Sequence, residues 1–191
     1  LLFGDKYRVK IATRNVNIPG IQNFRDLGGY PSYSTKKQVR WGMIYRSAEI
    51  DSLECYSRRE LRNLGIKTLI DLRTSSETGR QSPLQKEFNV VHIPLATGDM
   101  ENILKGIREE KIKSDTVYRM VEQMNRDLID KYTTEYRQIF DILLDKNSYP
   151  VVIHCSSGKG RTGIVSALVL AALGINEDII MEDYRLSNDY F

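Results

Sequence analysis

The chain has 191 residues, enough for one substantial hydrophobic core and short for two. Hydrophobic residues make up 41% and charged residues 28%, a balance that excludes a disordered or fibrous protein. Its 28 basic and 25 acidic residues leave a formal charge of +3, too small to call for nucleic acid, and no run approaches the roughly 18 apolar residues needed to cross a bilayer. The chain opens on Leu1, not Met, which leaves room for an upstream leader or domain, so the compartment stays open between the cytoplasm and an exported location.

In chain order, Tyr7, Val9 and Ile11 alternate with Arg8 and Lys10, the pattern of a half-buried strand. The turn-rich NIPGIQNFRDLGGYPS follows, and QVRWGMIYRS then predicts a strand pair or hairpin. In SRRELRNLG, Ser57 and Glu60 have the spacing of a capping box and Gly65 marks a helix stop. IKTLIDL and FNVVHIPL are apolar runs of strand length. Between Asp99 and about Asp115 charges crowd together, which predicts a solvated loop or short helix, with a flap over a site as the sharper reading. Val117, Met120, Val121 and Met124, then Tyr136, Ile139, Phe140 and Leu143, recur every three or four residues and predict two helices with core-facing stripes.

YPVVIH predicts a strand, CSSGKGR a loop, and TGIVSALVLAALG a helix with Val165, Leu168, Val169 and Ala172 in register and Gly174 as its stop. A last helix begins at Asn176 as its cap. Strands alternating with helical segments predict an α/β architecture: a mostly parallel central sheet flanked by helices, in a single domain over residues 1–191 that a longer precursor could contain.

Cys55 and Cys155 lie too far apart to suggest a disulfide framework, and neither sits at metal-ligand spacing, so a free reactive thiol is the more informative reading. No metal or cofactor is implied. Cys155 falls where an apolar strand runs into a helix, the junction at which open α/β sheets bind ligands. A helix N-terminus offers unpaired N–H groups to an anion, and Gly158 and Gly160 let the backbone curl so that successive amides aim inward. A seven-residue loop from Cys155 to Arg161 can therefore wrap a tetrahedral oxyanion, with Ser156, Ser157, Gly158, Lys159 and Gly160 supplying its wall. Arg161 can hold two of the anion's oxygens, and the Thr162 hydroxyl can reach the sulfur. The same donors favour the thiolate, making Cys155 a candidate nucleophile. SSGKGRTG lacks the spacing of a Walker-type nucleotide loop. His154 reads as a residue that orients the loop rather than a proton carrier.

HCSSGKGRT matches His-Cys-x5-Arg-Ser/Thr and resembles the cysteine-dependent phosphatases. NFRDLGGY, VRWGMIYRSAEI, LGIKTLIDLRTSSE, VVHIPL and DYRLSN narrow the resemblance to the atypical bacterial protein tyrosine phosphatases, over roughly residues 15 to 190. Some of these are secreted by intracellular pathogens. The resemblance implies the cysteine-phosphatase α/β fold and hydrolysis of phosphotyrosine, and in several members of phosphoinositides, without a cofactor. A phosphate or sulfate ion in the loop is expected. One departure stands out. Relatives commonly carry Lys-Asp before the final Arg, with the aspartate thought to be the acid, whereas this chain has Lys159-Gly160. Gly-Lys-Gly-Arg is similar instead to the tensin-related lipid phosphatases, where the loop lysine helps bind inositol phosphates.

Departure of a phenolate or alkoxide needs a proton donor. Asp99, just past VVHIPL, is the first candidate; Asp71 and Asp26 are alternatives, with salt bridges to Arg73 or Arg25 as their plainer roles. Arg25 and Arg46 could reach into the cleft, but an ordinary ion pair is the simpler expectation. A phosphate-binding module without turnover and a rhodanese-like sulfur transferase are the competing classes.

Overall fold

The computed structural model describes residues 2–3, 7–8, 12–51, 53–78, 83–97, 106–109 and 114–191. The strands are β1 Leu2–Phe3, β2 Tyr7–Arg8, β3 Arg25–Asp26, β4 Pro31–Ser32, β5 Lys37–Gln38, β6 Ile44–Ser47, β7 Thr68–Asp71, β8 Asn89–His92 and β9 Val151–His154. Among the described residues the α-helices of four or more residues are α1 Cys55–Asn63, α2 Ser75–Thr78, α3 Ser114–Lys131, α4 Thr133–Leu144, α5 Gly160–Ala172 and α6 Glu177–Arg185.

Five strands form the central sheet in the order β3-β6-β9-β7-β8, parallel except for the antiparallel edge pair β3–β6. The sequence VVIH at β9 is apolar on both faces because the strand is covered on both. Val151 and Ile153 pack into one core with Ile44, Ile70, Ile139, Val165 and Val169, while Val152 joins Phe24, Tyr45, Leu61 and Leu69 on the other face. Register then decides where function can sit. Ser47 pairs with His154, His154 with Asp71, and Asp71 with His92, so four parallel strands end level. The loops after β6, β7, β8 and β9 therefore leave along one edge, where open α/β sheets place their sites.

Several sequence expectations are met. Gly65 and Gly174 follow the last turns of α1 and α5 with φ of +73° and +74°, and the Asn176 side chain accepts from the Asp178 amide at 2.9 Å as the cap of α6. Others are corrected. Ser57 does not cap α1: the helix begins two residues earlier, behind Glu54, and the Ser57 hydroxyl donates to the Pro19 carbonyl at 2.6 Å. QVRWGMIYRS is not a hairpin, because β5 pairs with β4 in a separate two-stranded sheet while β6 joins the central one. The stripe of α4 is core-facing as expected, with Tyr136, Ile139 and Leu143 buried, but that of α3 is not: Val117, Val121 and Met124 are half-buried and Met120 is exposed. Of the YRVKIAT strand, Tyr7–Arg8 pairs with Leu2–Phe3, Ala12 and Thr13 are exposed and belong to no strand, and residues 9–11 lie outside the described residues.

Candidate active site

Cys155 emerges from the C-terminal end of β9, flanked by β6 and β7, and is 2% exposed; both cysteines are free thiols. Helix α5 begins five residues on, so Ser156 to Lys159 must turn sharply. Gly158 makes that turn with φ +68°, and a Cβ there would lie 2.5 Å from the Ser47 carbonyl group and 2.6 Å from the Ala48 nitrogen. Backbone meets backbone at this point, so no side chain fits. Gly160 is different: nothing lies within 4 Å of where its Cβ would be, and its φ is ordinary.

Arg161, in the first turn of α5, is 6% exposed and folds back to the start of the loop, with Nη2 donating to Ser156 Oγ at 3.2 Å. The six-residue spacing from Cys155 thus closes into a ring. Both terminal nitrogens already grip an oxyanion of the protein's own: Nη1 donates to Glu77 Oε2 at 2.7 Å and Nη2 to Glu77 Oε1 at 2.6 Å. Nη1 also faces the Leu72 and Leu95 carbonyls, at 3.4 and 3.3 Å. The Ser156 hydroxyl donates to Glu77 Oε1 at 2.7 Å. Hydrogen bonds from Arg161 above all, against an opposing effect of burial, hold the Glu77 carboxyl far below the usual carboxylate range. Burial alone would lower the Arg161 pKa, but Glu77 and the nearby charge of Cys155 raise it.

Glu77 was missed by motif reading because its sequence signal has another meaning. Thr74 and Glu77 have capping-box spacing, and Glu77 Oε2 does accept from the Thr74 amide at 2.9 Å. A helix-start signal hid a residue of the site.

The remaining expected residues divide. Ser156, Ser157, Gly158, Lys159 and Gly160 wall the loop, and the Thr162 hydroxyl is buried beside it with no hydrogen-bond partner among the described residues. Lys159 stands at the rim with its Nζ 4.1 Å from the centre of the Phe191 ring. His154 is buried and burial pushes its pKa down to about 4, so the ring is neutral near pH 7; Nδ1 lies 3.9 Å from Asp71 Oδ1. Asp71 is held by Arg73, whose Nε and Nη2 reach its carboxylate at 2.9 and 2.7 Å. Burial works to raise the Asp71 pKa, but the Arg73 hydrogen bonds keep it below the ordinary value. Asp26 is buried at the sheet edge, accepting from the Gly28 and Gly42 amides at 2.7 and 2.6 Å. Arg25 and Arg46 are fully buried and share Asp183, as the ion-pair expectation had it. Asp99 and most of the charge-dense segment after it lie outside the described residues.

Beside Ser156 opens a cleft of about 490 Å³ lined by residues 17–22, Ala48 and Glu49. A groove of about 420 Å³ with apolar walls, among them Val39, Met43 and Leu173, lies at the other end of the strands, away from the loop.

A mostly parallel sheet that delivers a cysteine into an oxyanion-sized loop closed by arginine defines the class as a cysteine-dependent phosphatase. The model of the tyrosine phosphatase family matches residues 16–191, and the chain belongs to that family. It is 32% identical over 194 residues to the triple specificity protein phosphatase PtpB of Mycobacterium tuberculosis, covering 90% of this chain and 68% of that one. It is 28% identical to a putative tyrosine-protein phosphatase of Cupriavidus necator, covering 88% of this chain and 61% of the other. A crystal structure of P. aeruginosa TpbA shares 17% identity and a TM-score of 0.38, over 78% of each chain.

Proposed function

We propose that the chain hydrolyses phosphomonoesters, phosphotyrosine first among them, through a cysteinyl-phosphate intermediate. The observation that carries this reading is Arg161 folded back over the loop that Cys155 opens, its fork already holding a carboxylate. With Glu77 across the Nη1 and Nη2 end, a phosphoryl group would meet the guanidinium along its Nε edge.

In the first step the Cys155 sulfur attacks phosphorus, an S–P bond forms, and the P–O bond to the leaving group breaks as that oxygen takes a proton. Loop amides and Arg161 stabilise the equatorial oxygens. Water then attacks phosphorus, the S–P bond breaks, and phosphate departs with the thiolate restored. The Thr162 hydroxyl, buried and without a hydrogen-bond partner among the described residues, makes no bond to the sulfur in the resting loop and is the proposed donor to the thiolate during turnover. Asp99 remains the proposed proton donor, since Asp71 is committed to Arg73 and Asp26 to two backbone amides.

Phosphoinositides form the second substrate class, favoured by the loop's Lys159, whose ammonium lies over the Phe191 ring. Its relative's description as a triple specificity phosphatase supports a site open to more than one phosphoester.

A chromogenic aryl phosphate tests the reading. Cys155→Ser is expected to abolish turnover, and activity retained in that variant would end the covalent mechanism. Asp99→Asn is expected to lower kcat by about 100-fold or more on poor leaving groups and to remove the basic limb of the pH–rate profile. Unchanged rates would move the acid elsewhere. Phosphotyrosyl peptides assayed against phosphoinositides at equal concentration rank the two classes.

A further inference from the structure

Beneath the loop lies a cluster that the reaction itself does not use, built from three motifs far apart in sequence: NFRD, YRS and DYRLSN. Arg25 and Arg46, both 0% exposed, share the single carboxylate of Asp183, itself 1% exposed. Arg46 Nη1 donates to Asp183 Oδ2 at 2.6 Å and Arg25 Nε to Oδ1 at 3.4 Å, while the Tyr30 hydroxyl donates to Oδ1 at 2.9 Å. Arg25 Nη2 reaches the Asp183 carbonyl at 2.8 Å and Ser187 Oγ at 3.0 Å, and its Nη1 donates to Asn23 Oδ1. Two buried guanidiniums against one carboxylate is a costly arrangement unless it does something.

What it touches is the loop backbone. Arg46 Nη2 donates to the Gly158 carbonyl at 2.8 Å, and Asn23 Nδ2 donates to the carbonyls of Gly158 and Ser157 at 3.0 and 3.3 Å. The Glu49 amide takes the Ser156 carbonyl at 3.2 Å. Three successive loop carbonyls are therefore held on the protein side. In a planar trans peptide the C=O and the following N–H point in opposite directions, so the N–H groups of Ser157, Gly158 and Lys159 are turned the other way. We infer that Asn23, Arg46 and Asp183 are positioning residues that preset the loop's anion-binding amides: Asn23 and Arg46 fix the carbonyls, and Asp183 fixes Arg46. The surplus positive charge of the cluster faces the same loop. Burial and the neighbouring Arg46 lower the Arg25 pKa only to about 10, so the Arg25 guanidinium is charged at neutral pH.

The inference rests on the phosphatase reading but is tested without turnover. Asn23 has φ +56°, a left-handed conformation that glycine adopts without strain, so Asn23→Gly removes the side chain and keeps the backbone. Arg46→Lys keeps the charge and loses the fork. The probe is inorganic phosphate, read by its protection of Cys155 from iodoacetamide, with the Cys155 peptide followed by mass spectrometry so that Cys55 does not contribute. Each variant is expected to need about tenfold more phosphate for half protection, a loss of the size that misaligned charge-assisted hydrogen bonds give. Both are expected to keep cooperative unfolding. Folded variants within twofold of the parent would overturn the inference. Should neither variant fold, amide NMR of the parent decides: the Ser157, Gly158 and Lys159 resonances are expected to shift together on adding phosphate, and three unmoved resonances in a phosphate-bound protein would overturn the inference equally. A parent that binds no phosphate at all would instead remove the phosphatase reading on which it stands.

Discussion

At the scale of single residues, Glu77 carries the most informative contact. Its carboxylate meets Arg161 end on, at Nη1 and Nη2, and so fixes the plane of the guanidinium before any substrate arrives. A pre-oriented fork loses less freedom on binding than a free one. Glu77→Ala is accordingly expected to lower kcat/KM on an aryl phosphate about tenfold or more, with most of the loss in kcat. A variant with parental kcat would show that Arg161 finds its plane unaided. Cys155 and Arg161 were legible in the sequence because the covalent chain itself sets their spacing. Glu77 stands 84 positions from Arg161 and Asp183 stands 137 from Arg46, separations that only the assembled sheet closes. Gly160 reads differently at this scale as well: nothing lies within 4 Å of where its Cβ would be, so alanine would meet no steric bar here.

Among the elements, strands were more legible than caps. The apolar runs at 68–71 and 151–154 became strands because burial on both sheet faces demands that composition, whereas 89–92 is an edge strand with Val90 and Val91 half-buried and Asn89 and His92 exposed. The Ser57–Glu60 signal failed because α1 starts earlier, and inside the helix the Ser57 hydroxyl found a partner in another segment. Periodicity on α3 foretold the helix but not its burial, since only Leu128 among its apolar residues is fully covered within the described residues. The Asn176 cap was both predicted and found. Asn176→Ala is expected to cost about 1 kcal/mol of stability, visible as a lower denaturant midpoint with an unchanged slope. No loss would mean that packing alone starts α6.

For the molecule as a whole, the buried histidine and carboxylates push stability in one direction as the pH falls below neutral. His154 titrates near pH 4 when folded against 6.5 for an ordinary histidine, because burial disfavours its charged form. Between those values the unfolded chain takes up a proton that the folded chain refuses, so stability falls as the pH is lowered through this window, by up to about 1.4 kcal/mol per pH unit. Asp71, Asp183 and Glu77 all sit below their ordinary values in the fold, so protonating them at still lower pH removes stability with the same sign. Urea midpoints are expected to be highest above about pH 6.5 and to drop on the way to pH 4; a flat profile from 7 to 5 would mean that His154 is not held neutral by the fold. The position of β9 carries one more consequence. The strand that leads into Cys155 is the last of the five central strands in sequence but the middle one in space, with β3–β6 on one side and β7–β8 on the other. Of the central sheet, the residues before Val151 can make only two separate strand pairs with open edges during synthesis. Continuity across the sheet arrives with Val151–His154 and the Cys155 sulfur directly after it, so a growing chain gains its proposed nucleophile only as it becomes able to close its central sheet.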